Sequence, residues 1–169
     1  MGERIREKFK LSSAVFVLMF DGDKVLLQLR SNTGWFDGQY SLPSGIIDGN
    51  EPLHLAAVRE AKEEMGVEIM PTDVHLVHLM HNLTVGEEWT AAFFITSKWE
   101  GTPEIREPDK HGELKWVSVT DLPKNTSPDV KQAIRNYLNG VPYSLFGWEI
   151  SDTSSQDDYL AYYGDDQLK

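Results

Sequence analysis

The pattern of hydrophobic and polar positions predicts strands on both sides of one long helix. β-forming residues fill 14–20 and 24–30, and Asp21-Gly22-Asp23 between them predicts a hairpin turn. Three further strands are predicted at residues 74–80, 89–96 and 113–119. Strands that flank a helix in this way indicate a mixed sheet covered by helices.

Two helices are predicted from their end signals. Pro52 suits the first turn of one helix, because proline lacks an N–H that would have no partner there. Gly66 suits its end, where a left-handed residue is common. A second helix is predicted from Asp129 to Leu138, entered through Ser127-Pro128 and closed by Gly140. Residues 31–40 are predicted to form a loop.

The first helix carries an unusual concentration of carboxylates. Successive residues advance by about 100° around a helix, so Glu60, Glu63 and Glu64 share one face. A neighbouring apolar stripe suited to a core contains Ala57, Val58, Ala61 and Met65. Each pair of like charges at these spacings lowers the stability of the helix by roughly 0.2–0.5 kcal/mol. Within the helix, only Arg59 offsets this repulsion. The missing positive charge points to a divalent metal ion.

Composition narrows the class of protein. The chain has 169 residues, of which 40% are hydrophobic, and this fits one globular domain. The absence of cysteine excludes disulfides, thiolate zinc sites and cysteine nucleophiles. No apolar run approaches the roughly 18 residues of a membrane span, and the first residues lack the apolar centre of a signal peptide. We therefore expect a cytoplasmic protein that does not enter a membrane.

Charge is unevenly distributed along the chain. The net charge of −11 argues against a nucleic-acid polymer as partner, since phosphate backbones are bound by Lys and Arg. A small phosphorylated ligand remains compatible, because metal ions bridge acidic protein to acidic substrate. Residues 149–169 hold six acids and one base. We predict a single domain over 1–148 and an acidic tail over 149–169, which is either frayed or partly docked, or binds a partner.

A longer motif surrounds the acidic helix. Between Gly45 and Val67 the chain reads Gly, five residues, Glu51, seven residues, then Arg-Glu-Ala-Lys-Glu-Glu-Met-Gly-Val. This string resembles the Nudix box of the Nudix hydrolase superfamily. Every fixed position is filled, namely by Gly45, Glu51, Arg59, Glu60, Glu63, Glu64 and Gly66. The resemblance implies an α/β (α+β) fold, an α/β/α sandwich around a mixed sheet in which the box forms a loop–helix–loop.

The resemblance also implies a reaction, the hydrolysis of a phosphoanhydride in a nucleoside diphosphate derivative with Mg²⁺ or Mn²⁺. By that resemblance Glu60, Glu63 and Glu64 would be metal ligands, with Glu64 central. The backbone carbonyl of Ser44 would join them, although the family often has glycine at that position. Arg59 would hold a carboxylate, and Glu51 would support the loop.

The general base is predicted outside the box. In many family members a Glu from a loop before a late strand serves as base or metal ligand. Glu107 is the candidate here, with Glu113 behind it, and an ordinary role as a loop acid is equally compatible with the sequence.

The substrate is predicted by elimination among family branches. Residues that mark other branches of the family are absent from this sequence. No proline stands near Asn82, no tyrosine stands at Thr84 or Val85, and the chain has no cysteine. The MutT-like branch, which cleaves nucleoside triphosphates, remains most similar. Candidate substrate-binding residues are Arg30, Trp35, Phe36, Tyr40 and Asn125, each of which also suits a purely structural role. His75, His78 and His81 alternate faces on a strand, so they are not expected to form a metal site.

Several functional hypotheses remain open at this point. The first is a MutT-like nucleotide pyrophosphohydrolase with a small-molecule nucleotide as substrate. The second is the same chemistry on a nucleotide sugar or a dinucleotide. A catalytically silent nucleotide-binding module and an interaction protein that acts through its acidic tail are the others. The resemblance also allows a homodimer.

Overall fold

The computed structural model describes residues 9–84 and 86–148. The predicted tail over 149–169 lies outside the described residues. The elements, in chain order, are β1 (Ser12–Asp21), β2 (Lys24–Arg30), β3 (Tyr40–Ser41), β4 (Ser44–Ile46), α1 (Leu53–Met65), a 3₁₀ helix (Pro71–Asp73), β5 (His75–Thr84), β6 (Glu87–Thr96), β7 (His111–Ser118), α2 (Pro128–Leu138) and β8 (Tyr143–Phe146).

The strands form one mixed sheet in the order β3-β2-β1-β6-β5-β8. β1 runs parallel to β6, and β5 runs parallel to β8, while the other pairs are antiparallel. Two strands pair with the same edge of β1: β2 pairs with its last residues, and β4 pairs with its first residues. β7 pairs with β2. The predicted hairpin is therefore confirmed, and its two strands then separate to take different neighbours.

Alternation along β1 divides the interior into two cores. Val15, Val17 and Met19 pack in the core beneath α1, and Phe16 and Leu18 pack in the core beneath α2. This follows from the period of a strand, in which successive side chains point to opposite faces. The α/β/α sandwich that the resemblance implies is confirmed.

The two ends of α1 carry the predicted signals. Pro52 is the residue that precedes the first helical residue, in an extended conformation. Gly66 ends the helix with φ of 69°, and its N–H donates to the carbonyl of Lys62. Glycine is favoured at this left-handed position, because glycine has no Cβ to clash with the backbone. The helix therefore begins and ends within one residue of its prediction.

Short elements were not predicted from the pattern. β3, β4, β8 and the 3₁₀ helix each have two to four residues, too few for a periodic signal. β8 brings Phe146 against the core beneath α2, and the indole N–H of Trp148 donates to the carbonyl of His81. In the described part of the chain, no helix combines the length and the apolarity that crossing a membrane requires.

Candidate functional site

β4 lies close against α1, and this contact places the acids of the helix. A Cβ at Gly45 would overlap the Glu60 carboxylate, so glycine at this position leaves room for that side chain between the strand and the helix. Glu60 and Glu64 are only 8% and 5% exposed, although they are carboxylates. The side chain of Glu63 is 56% exposed. The shared face predicted for the three acids thus has a buried part and an open part.

Arg59 binds three carboxylates at one end of this acidic face. Its Nε and Nη2 atoms each donate to Glu51 at 2.8 Å. Its Nη1 atom donates to Glu60 at 2.6 Å and to Glu63 at 3.1 Å. The guanidinium holds the pKa of Glu51 down at about 2. Glu51 also accepts the backbone N–H of Asp48 at 2.9 Å, which links the helix to the preceding loop.

Glu64 has no such cation. Its Oε2 atom accepts the backbone N–H of Ser44 and the side-chain amide of Gln28, both at 2.8 Å. Among residues 9–84 and 86–148, no lysine or arginine forms an ion pair with it. Burial raises the pKa of the Glu64 carboxyl to about 7, against the lowering effect of its two hydrogen bonds. The carboxylate is held in place by two neutral donors, and Arg30 acts on it through a charge interaction without an ion pair.

A second acid and a histidine complete the environment of Glu64. One ligand atom each from Glu64, Glu107 and His111 lies within 4.8 Å of the other two. His111 Nε2 is 3.5 Å from Glu64 Oε1. Burial lowers the pKa of His111. Lys110 donates to Glu107 at 2.8 Å.

Sequence reasoning did not single out His111. It follows Glu107 by four residues in a turn, and this spacing is the one local signal that could have drawn attention to it. Its proximity to Glu64, however, depends on the pairing of β7 with β2, which brings His111 opposite Arg30.

Two adjoining cavities meet beside these side chains. The first, of about 470 Å³, is acidic and includes Glu60, Glu63, Glu64, Glu107 and His111 in its lining. The second, of about 390 Å³, is lined in part by aromatic rings and by hydroxyl groups. Residues that line both cavities are Arg30, Thr33, Ser44, Gly45 and Ile46. A ligand that spans both would place one part against aromatic rings and another against carboxylates.

Arg30 and Trp35 lie where the two cavities meet. Arg30 lines both cavities, and its Nε donates to the Trp35 carbonyl at 2.8 Å. The ring of Trp35 stands edge-on to Trp89, with centroids 6.2 Å apart, and both rings line the aromatic cavity. Asp37 fixes the intervening loop by accepting the N–H groups of Thr33 and Gly34 at 3.0 Å. The structure therefore brings these two predicted residues to the cavities.

Tyr40 and Asn125, also predicted to bind substrate, are not among the residues that line either cavity. Tyr40 packs in the core beneath α2, and its hydroxyl donates to Glu113. Asn125 donates to the carbonyl of Gly38 at 3.0 Å. The side chain of Asn125 contacts the loop that carries Trp35 through Gly38, and the N–H of Tyr40 donates to the carbonyl of Asn125 at 2.9 Å. Glu113, bound to Tyr40, likewise does not line the acidic cavity.

Two further histidines have structural partners. His78 makes hydrogen bonds with the carbonyl of Val141 at 2.8 Å and the hydroxyl of Ser144 at 3.0 Å. His81 contacts Glu88 at 2.8 Å. Neither belongs to the group of potential metal ligands found in the described residues.

The donors around Glu64 fit a divalent cation. Carboxylate oxygens and backbone carbonyls are ligands that Mg²⁺ and Mn²⁺ prefer, and imidazole is a further ligand of first-row transition-metal ions. A buried carboxylate without a cation is costly, and a bound ion would remove that cost.

Comparison with known proteins agrees with this geometry. The family model described as NUDIX domain matches residues 10–137. The chain belongs to the Nudix family. Its similar relatives include the NAD-capped RNA hydrolase NudC of Stutzerimonas stutzeri, 25% identical over 132 residues, or 76% of this chain. That match spans 43% of the relative, so this chain matches less than half of the NudC length. The 8-oxo-dGTP diphosphatase of Escherichia coli is 26% identical over 74% of this chain and 93% of its own length.

Solved Nudix structures share the fold. The MutT NUDIX hydrolase of Burkholderia pseudomallei superposes with a TM-score of 0.69 and 26% identity, covering 75% of this chain and 98% of that one. The MutT protein of Methanosarcina mazei gives a TM-score of 0.67 at 20% identity, covering 76% and 94%. The second likeness concerns the fold alone.

Proposed function

We propose that this Nudix protein is a divalent-metal-dependent, MutT-like hydrolase that cleaves a phosphoanhydride bond in a nucleoside triphosphate or a related nucleoside diphosphate derivative. One observation carries the proposal above the others. Glu64 is buried and, among residues 9–84 and 86–148, forms no ion pair with a lysine or an arginine, in an acidic cavity that adjoins an aromatic one. A nucleotide has the matching chemistry, with a ring at one end and phosphates at the other.

The metal would be held at the acidic cavity. Glu60, Glu63 and Glu64 of α1 and the backbone carbonyl of Ser44 would serve as its ligands. A bound divalent ion supplies charge neutralisation for the phosphates and lowers the pKa of a water nucleophile.

Arg59 organises these carboxylates from behind. It holds Glu60 and Glu63 through Nη1 and Glu51 through its other two nitrogens. A planar guanidinium can serve several carboxylates at fixed angles, whereas a lysine ammonium cannot. We infer that Arg59 positions the ligands and does not touch the substrate.

Arg30 and the aromatic cavity would orient the substrate. Arg30 and Lys110 bring positive charge to the lining of the acidic cavity, where the phosphates would lie. Trp35 and Trp89 offer ring surfaces on which a base can stack. Holding the base and the phosphates at once fixes the bond to be broken relative to the carboxylates.

Glu107 is the proposed acceptor of the proton from the attacking water. Its carboxylate lines the acidic cavity and lies outside α1, across from Glu64. A base must be within hydrogen-bond reach of the water, directly or through one further water. The Glu107 position, beside the cluster and on a separate loop, meets that requirement better than Glu51, which is engaged by Arg59.

A dinucleotide is the second candidate substrate. Several relatives are named NAD-capped RNA hydrolase NudC, and the one from Stutzerimonas stutzeri matches 76% of this chain. The Escherichia coli 8-oxo-dGTP diphosphatase is matched over 93% of its own length, against 43% for that NudC.

A substrate panel tests the proposal. Nucleoside triphosphates, including oxidised ones, together with NAD, dinucleoside polyphosphates and nucleotide sugars, are incubated with Mg²⁺ or Mn²⁺, and products are identified by mass. We expect turnover of at least one member by the wild type, and none by Glu64→Gln. Glu68→Gln, which removes an exposed acid outside both cavities, should retain the activity. Binding of a nucleotide without turnover under both metals would contradict the proposal and indicate a silent binding module.

A further inference from the structure

His111 is a buried imidazole to which the proposed mechanism gives no role. It begins β7, opposite Arg30 of β2, and is only 2% exposed. Its backbone N–H donates to the carbonyl of Glu107 at 3.0 Å, which fixes it beside that residue. Strand pairing on one side and the turn on the other hold the ring in the lining of the acidic cavity.

The ring lacks the hydrogen bonds that usually accompany burial. Its Nδ1 atom is buried and has no hydrogen-bond partner among the residues that the structure describes. Its Nε2 atom is 3.5 Å from Glu64 Oε1, which is long for a hydrogen bond. His78, the other buried histidine, bonds through both ring nitrogens at 2.8 and 3.0 Å. One buried imidazole is thus satisfied within the protein, and the other points at a carboxylate without bonding to it.

The separation of the three groups suits a shared ion. Ligand atoms about 2.1 Å from an octahedral cation lie roughly 3 Å apart when adjacent and about 4.2 Å apart when opposite. The Nε2–Oε1 distance of 3.5 Å and the limit of 4.8 Å for the whole group are close to this range. Small side-chain movements would bring the Glu64 and His111 atoms to one cation, with the Glu107 carboxylate beside it.

We propose that His111 is a nitrogen ligand of the divalent centre, and that this ligand makes the protein select Mn²⁺ over Mg²⁺. The inference rests on the metal dependence of the proposed function. Mg²⁺ prefers oxygen ligands and keeps its waters, whereas imidazole nitrogen suits the transition metals. Replacing one oxygen donor of an all-carboxylate site by an imidazole therefore shifts affinity towards Mn²⁺.

Pulsed electron paramagnetic resonance of the Mn²⁺-loaded full chain tests the ligand directly. We expect the wild type to show a ¹⁴N coupling of a bound imidazole, which changes to the ¹⁵N pattern when histidine alone is labelled. His111→Gln should lose this coupling. His54→Gln, which removes an exposed imidazole of α1, should keep it. A wild-type spectrum with bound Mn²⁺ and no histidine nitrogen coupling would overturn the proposal, whether or not the His111 variant folds.

Metal affinities supply an independent reading. Mn²⁺ binding is measured from the signal of free Mn²⁺, and Mg²⁺ binding from competition with it. We expect His111→Gln to weaken Mn²⁺ binding roughly 10–100-fold while Mg²⁺ binding changes less than about threefold. Equal losses for both metals would indicate a structural role for the ring and would refute the selectivity.

The two proposals fail in different ways. Mn²⁺ that binds the wild type without a nitrogen coupling removes only the role of His111. A wild type that binds neither Mn²⁺ nor Mg²⁺ removes the metal-dependent function, and the role of His111 with it.

Discussion

The acidic face of α1 has two ends, and they differ in what balances their charge. At one end, Arg59 contacts Glu51, Glu60 and Glu63 at distances between 2.6 and 3.1 Å. At the other end, Glu64 accepts a backbone N–H and a side-chain amide and lies 3.5 Å from a histidine whose pKa burial lowers. Among the described residues it forms no ion pair with a lysine or an arginine. One guanidinium thus offsets part of the charge of three acids and fixes their geometry. The carboxylate of Glu64, at the point where a cation and a substrate would meet, has neutral hydrogen-bond donors instead.

Glu64→Gln should produce the largest effect and should separate activity from stability. We expect hydrolysis to fall by about 10³-fold or more, because the central ligand of the proposed metal is lost. The folded protein without metal should become more stable at pH 8, by about 1–3 kcal/mol, because the substitution removes a buried charge. Kinetics and urea denaturation measure the two quantities. Loss of stability together with activity would show that the carboxylate supports the fold and would remove the contrast between the two ends.

Arg59→Lys should have the next largest effect, at the opposite end of the face. A lysine keeps the charge and cannot contact three carboxylates with fixed geometry, so Glu60 and Glu63 lose their alignment. We expect activity to fall by about 10²-fold and stability by about 1–2 kcal/mol, in contrast to the gain predicted for Glu64→Gln. Arg135→Lys, on α2, is the matched control and should change neither quantity. An Arg59→Lys variant with full activity would show that the carboxylates need no alignment.

Glu107→Gln should reduce activity less, by about 10–100-fold, because it removes a proton acceptor and leaves the acids of α1 in place. Glu113→Gln is the matched control, since Glu113 is bound to Tyr40 and does not line the acidic cavity. Rates are compared across pH at saturating metal. If the two variants behave alike, Glu107 is an ordinary loop acid.

Titration of the Glu51 carboxyl should show the smallest effect, and it tests the contact between Glu51 and Arg59. The pKa of Glu51 is lowered to about 2 from a usual 4.5 by its bonds to Arg59. A carboxyl with a lowered folded pKa contributes stability that is complete above its unfolded pKa and is lost as pH falls towards the folded value. We expect the ¹³C signal of the Glu51 carboxyl to remain that of the charged form at pH 3. In Arg59→Lys it should titrate at higher pH, and an unchanged titration would contradict the assigned cause.

The sequence predicts most of the scaffold, for reasons visible in single residues. Pro52 and Gly66 act locally on backbone conformation, so the ends of α1 follow from them. β3 and β4 follow from pairing with distant strands, since two or three residues carry no periodic signal. β8 depends on β5, which lies more than fifty residues earlier in the chain.

The candidate site divides in the same way. Its acids are set by spacing within one helix, and the sequence therefore locates them. His111 reaches Glu64 through the pairing of β7 with β2, a long-range contact that no local pattern encodes. Tyr40 and Asn125 carry suitable chemistry for a base, but their side chains are engaged by Glu113 and by the carbonyl of Gly38, and neither lines a cavity. Residue type indicates what a side chain can do, and the sheet decides where it lies.

Thermal denaturation during a Mn²⁺ titration at pH 8 tests the central claim most directly. An ion that binds only the folded state stabilises it by about 2.7 kcal/mol at a hundred times its dissociation constant. We predict that the melting temperature of the wild type rises steadily with Mn²⁺. The melting temperature of Glu64→Gln should be higher without the ion and should not change when Mn²⁺ is added. An unchanged melting temperature of the wild type, or an equal rise for the variant, would contradict the claim that Glu64 binds a divalent cation.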